Sequence, residues 1–143
     1  MASNGKRQLA AKLYSSVAKA NDRFKKAHTK HVLKYKLTAP QYGVLAVLSS
    51  SGPVPLKRIS EELMVTGANI TCVIDNLEKE KLVQRIPSKE DRRVIMADLT
   101  KKGKEKVSTI MPGYLETLAG TGKNLNETEQ KQLLKLLEKF LAN

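Results

Sequence analysis

Four residues between two short alternating segments hold the densest chemistry in this chain. Glu90-Asp91-Arg92-Arg93 follow Lys89 on a polar link, flanked by Leu82–Ile86 and Val94–Leu99. Guanidinium groups at the tip of a hairpin suit phosphate contact or entry into a narrow minor groove, where the negative potential is strongest. An acid two residues before an arginine suits shaping of the tip, since phosphate would repel it. A second set lies upstream. With Ile70, Val73, Ile74 and Leu77 as the apolar face of a helix, 100° per residue puts Ala68, Cys72, Asp75, Asn76 and Lys79 opposite, flanked by Asn69 and Thr71. Small and amide side chains on such a face suit hydrogen bonds and methyl contacts at base edges in a major groove. Nucleophile elbows, phosphate loops, dinucleotide fingerprints and HExxH are absent from the sequence, so no enzyme activity and no cofactor are expected. His28 and His31 lie three apart without a supporting cluster of Cys, His or acids, so no metal site is expected.

These residues need elements to hold them. Apolar positions from Leu9 through Leu13, Val17, Ala20, Phe24 and Ala27 to His31 and Tyr35 step by three or four, which predicts a long amphipathic helix over about 6–35. Thr38 with Gln41 forms a capping box, and Leu37 and Tyr42 a hydrophobic staple, for a second helix to about residue 49. A short helix over about 56–64 precedes the turn Val65-Thr66-Gly67. Thr66 caps a fourth helix over about 67–81. The period then changes from 3.6 to 2 on either side of the polar link, predicting a hairpin. Thr100 opens a fifth helix containing Pro112, and Asn126 with Glu129 opens a sixth.

At 143 residues the chain fits one domain, 1–143, and its composition of 41% hydrophobic and 28% charged residues is that of a folded globular protein. The net charge of +12 raises the expectation of a polyanionic partner. Its distribution is uneven: residues 1–37 hold ten basic groups and one acid, while 38–99 hold eight of each. The most basic segment is thus not the one with the reading-helix pattern. One cysteine rules out an intrachain disulfide, no apolar run reaches membrane-spanning length, and Lys12 interrupts any leader-like apolar stretch, so a cytoplasmic protein is expected.

Helices, a turn, a third helix and a basic hairpin follow the order of a winged helix-turn-helix. The segments Leu37–Leu48 and Val65–Lys79, with Asp91-Arg92-Arg93 running into Leu99-Thr100-Lys101-Lys102-Gly103, resemble the MarR family of bacterial transcription regulators. The last stretch is similar to that family's wing signature, Asp-x-Arg followed by Leu-Thr-x-x-Gly. The resemblance spans about residues 6–142 and implies a mostly α fold with a small β-hairpin wing and a helical dimerisation platform. It further implies a DNA-binding lobe over 37–100, with 1–36 and 101–143 as the dimerisation region of a homodimer. Such dimers bind pseudo-palindromic double-stranded operators and usually repress. Many release DNA on binding a small aromatic or other anion between lobe and platform.

Carried over residue by residue, the resemblance makes Arg93 the minor-groove contact and Arg92 and Lys89 phosphate or groove contacts. Ala68, Asn69, Thr71, Cys72 and Asn76 become groove-facing positions of the reading helix. Tyr35 and Tyr42, near the corner of the first two helices, are the expected effector-lining residues. Two positions depart from the pattern. Cys72 stands where many relatives carry Arg, and Lys81 where Gly commonly ends the reading helix, which asks Lys81 either for a left-handed backbone at some cost or for a different closure of the helix. Two alternatives stay open: a winged-helix module that docks a protein partner, and a redox-sensing regulator acting through Cys72.

Overall fold

The computed structural model describes residues 2–143 and is mostly helical, with one small antiparallel sheet. Its elements are α1 (Ala2–Leu33), α2 (Ala39–Ser51), β1 (Val54–Pro55), α3 (Leu56–Glu62), α4 (Gly67–Lys79), β2 (Val83–Pro87), β3 (Ile95–Leu99), α5 (Lys101–Thr121) and α6 (Glu127–Leu141). The expected helices and hairpin all form, with helix ends moved by a few residues. The expected caps form too. Thr38 and Gln41 complete a capping box on α2, Asn126 and Glu129 one on α6, and Thr66 Oγ1 accepts from Asn69 N at the start of α4.

The wing differs from a plain hairpin. β3 sits between β2 and β1, with Val83 opposite Leu99 and Val54 opposite Ala97. A two-residue strand containing a proline leaves no alternating pattern to read. Strand alternation puts Ile95 on one face with the buried Ala97 and Leu99, yet Ile95 is exposed, because it pairs with Pro87 at the open end of the sheet.

Three helices end alike. After α1, α3 and α4 the chain turns through Lys36 (φ 58°), Met64 (φ 53°) and Lys81 (φ 61°), all left-handed and none glycine. The next amide in each case reaches back five residues: Leu37 to Val32 at 3.3 Å, Val65 to Ser60 at 3.0 Å and Leu82 to Leu77 at 3.0 Å. These are Schellman closures, which satisfy carbonyls the helix leaves open.

The chain divides into two compact units: one of the residues up to His28 together with Leu115–Asn143, the other of Thr29–Tyr114. The second unit holds the hydrophobic core. Leu37, Tyr42, Leu45, Leu48, Ile59, Ile70, Ile74, Leu77, Leu82 and Ile110 are all at most 2% exposed. The first unit has no buried side chain among its described residues. Its Leu9, Leu13, Phe24, Leu133, Leu136 and Phe140 are exposed.

Candidate nucleic-acid interface

α4 packs Ile70, Val73, Ile74 and Leu77 inward, as the spacing predicts. Ala68, Asn69, Thr71, Cys72, Asn76 and Lys79 are therefore exposed together. Three of these side chains have local partners. Thr71 Oγ1 donates to the Gly67 carbonyl at 3.0 Å, and Asn76 Nδ2 lies 4.0 Å from Cys72 Sγ.

The wing tip is built by side chains bonding to backbone. Ser88 Oγ accepts from Glu90 N at 3.2 Å and Asp91 N at 3.4 Å, and Val94 N donates to the Asp91 carbonyl at 2.9 Å. Asp91 Oδ1 accepts from Arg93 N at 3.0 Å and Nε at 3.1 Å, and Oδ2 accepts from Nη2 at 3.2 Å. These bonds to Arg93, side chain first and backbone second, hold the Asp91 carboxyl below its ordinary value against a small opposing effect of burial. Asp91 thus fixes the direction of an arginine whose side chain is 91% exposed. Lys89 and Arg92 are exposed on the same tip.

One residue escaped the sequence reading. Arg85, on β2, ion-pairs with Glu78 and reaches Asp75 Oδ1 at 2.7 Å through Nη2, so both acids of α4 share one guanidinium. Counting α4's own charges makes the helix acidic, and a strand neighbour alters that count. Burial works to lower the basicity of Arg85, but its bonds and charge pairing with Asp75 and Glu78 outweigh this and hold it above its ordinary value. A lone cation on the Val83 side of a strand is the signal that was there to read.

The base of the wing is equally determined. Thr100 Oγ1 accepts from Gly103 N at 3.0 Å and donates to the Lys81 carbonyl at 2.7 Å, while Thr100 N donates to the Leu82 carbonyl at 3.1 Å. A Cβ on Gly103 would collide with that Leu82 oxygen. The Leu-Thr-x-x-Gly stretch is therefore the seam between the end of α4, β3 and α5.

Among the aromatics, Tyr42 is 1% exposed, with its ring 4.8 Å from Tyr114 and its hydroxyl donating to Met111 Sδ at 3.6 Å. Burial first, and the charge of Tyr114 second, push its phenol up to about 12. In this conformation Tyr42 is core packing and offers no surface to a ligand. Tyr35 is half-buried, 5.4 Å from the ring of His31, whose Nε2 donates to the Ile110 carbonyl at 3.4 Å. A groove of about 450 Å³ lies within the other unit, lined by Lys19, Ala20, Arg23, Phe24, Leu125 and Leu133 among others, and neither tyrosine borders it. No described helix is long and apolar enough to cross a membrane.

Residues 37–95 match the model of the MarR family. The chain is 32% identical to YkoM of Bacillus subtilis, an uncharacterised HTH-type transcriptional regulator, over 90% of this chain and 79% of that protein. It is 29% identical to MhqR of the same organism, also an HTH-type transcriptional regulator, over 92% and 91% of the two chains. Its fold superposes on Bordetella bronchiseptica BpsR, whose DNA binding is regulated by 6-hydroxynicotinic acid, with a TM-score of 0.82 and 25% identity over 92% of this chain and 99% of that one. The chain belongs to the MarR family and is a DNA-binding transcriptional regulator with a winged-helix fold.

Proposed function

We propose that the protein is a homodimeric repressor that reads a pseudo-palindromic operator with α4 in the major groove and Arg93 in the adjoining minor groove. The observation that carries this is that one compact unit bears both the exposed, largely uncharged face of α4 and an exposed arginine aimed by Asp91. Asn69, Thr71, Cys72 and Asn76 are the base-edge candidates, with Ala68 allowing close approach. Lys89 and Arg92 meet phosphates.

The first unit supports the dimer. α6 buries none of its residues, and Leu134, Leu136, Phe140 and Leu141 are all more than half exposed. A stripe of this kind, continued by Leu9, Leu13 and Phe24 on α1, is covered when two copies meet over roughly 2,000 Å² or more. Release by a small aromatic anion follows by analogy with BpsR. Tyr35, half-buried, is then the accessible ring of the two, and Tyr42 is closed in the core.

The test is a salt titration of duplex affinity beside sedimentation. Specific binding that weakens steeply with salt, by a species twice the mass of the 15.9 kDa chain, is the expected result. A monomer at micromolar concentration, or no preference among duplex sequences, refutes the reading. Release of DNA by an aromatic acid such as a hydroxybenzoate tests the effector; no heat of binding and no release across a panel of such acids removes it.

A further inference from the structure

Asp75 is a half-exposed acid on the side of α4 that carries Cys72 and Asn76. A carboxylate there would face phosphates as a like charge. The chain answers it from the neighbouring strand. Glu78, one turn further along α4, grips Arg85 twice, accepting from its backbone N at 3.0 Å and binding its guanidinium through Nη1. Held that way, Nη2 of the same guanidinium is directed at Asp75. Glu78 is the anchor and Asp75 the target. A lysine ammonium is a point charge on a flexible stem and lacks the rigid planar fork that sends one nitrogen to each acid in a fixed direction.

We propose that Arg85 is a positioning residue for DNA recognition, one that locks α4 to the wing strand and masks the Asp75 carboxylate from the phosphates. The inference rests on the reading of α4 as the groove-facing helix. It differs from a stabilising ion pair in one respect: removing the acid compensates for removing the arginine when DNA is the readout.

The experiment uses the full chain as wild type, Arg85→Gln, Asp75→Asn and the double variant. The probe is a duplex selected by the wild type from a random library, bound at low and at high salt, well below every variant's melting temperature. Arg85→Gln is expected to lose about tenfold or more in affinity through the unmasked charge and the loosened helix. The double variant regains several-fold of that loss, and the regain shrinks as salt screens the repulsion. Asp75→Asn alone binds at least as tightly as wild type, which keeps the test decisive if Arg85→Gln does not fold. Wild-type affinity in Arg85→Gln, a double variant no better than the single at low salt, or a loss of threefold or more in Asp75→Asn would each overturn the inference alone. A wild type that binds no duplex overturns the reading of α4 and the inference with it.

Discussion

Arg93 carries a strong residue-level expectation because it is both exposed and aimed. Arg93→Ala should weaken operator binding by about 1–3 kcal/mol with the secondary structure unchanged, measured by fluorescence anisotropy at fixed salt. Arg93→Lys should recover only part, since an ammonium is more strongly hydrated and cannot make the two-pronged bond to Asp91. Equal affinity of wild type and Ala variant would remove Arg93 from the interface. Tyr42 gives a second expectation, with a definite sign. Its phenol is raised to about 12 from an ordinary 10.0, so the folded state disfavours the phenolate. The stability this represents is present below pH 10 and is lost as pH rises from 10 toward 12. Tyr42→Phe has no such loss. The melting temperature of wild type relative to the Phe variant should therefore fall between pH 9 and pH 11.5, and an unchanged difference would contradict the enclosed phenol.

At the level of elements, the ends of the helices are the informative places. Lys81 occupies a left-handed position whose hydrogen bonds are all backbone or carbonyl, so glycine would keep them. The steric cost of a side chain there is about 1–2 kcal/mol, offset in part by the greater unfolded-state entropy of glycine. Lys81→Gly should raise stability by about 0.5–1 kcal/mol in urea titration. Lower stability would mean that the Lys81 side chain contributes something the backbone does not. Gly103 is the reverse case. Its missing Cβ lets α5 lie against the Leu82 carbonyl, and that carbonyl is held by Thr100 N and cannot retreat. Gly103→Ala should cost about 1–3 kcal/mol and lower the melting temperature. A neutral result would show that α5 and the wing base slide apart readily. The two substitutions have opposite signs within one seam, which separates backbone strain from packing.

For the whole molecule, the contrast between the two units sets the expectation. One has a continuous aliphatic core and the other exposes its apolar stripes. In a two-fold interface each substitution occurs twice. Leu136→Glu, on the exposed stripe of α6, should raise the dimer dissociation constant tenfold or more, since a buried unpaired carboxylate costs at least about 1–3 kcal/mol at each copy. The core of the other unit should keep its helical circular dichroism. Sedimentation at a series of concentrations reads the first, and a dimer as tight as wild type would place the interface elsewhere.

Local chemistry was enough for much of this protein. Caps at Thr38, Thr66 and Asn126, the 3.6-residue spacing of Ile70 to Leu77, and the change to alternation at Leu82 depend on neighbours a few residues away, so the sequence by itself determined the helices, the hairpin and the outward face of α4. The left-handed Lys81 was legible only through the resemblance, which sets a glycine at that position and left two closures open, a left-handed residue or another helix end; the structure takes the first. Pairings across the chain were not legible. Arg85 meets acids seven and ten residues away only once β2 lies against α4, β1 exists only because β3 offers it an edge, and Tyr42 closes on Tyr114 only when α5 returns past α2. Each depends on where a distant backbone arrives, a question that periodicity and propensity do not answer and that packing of the common core does.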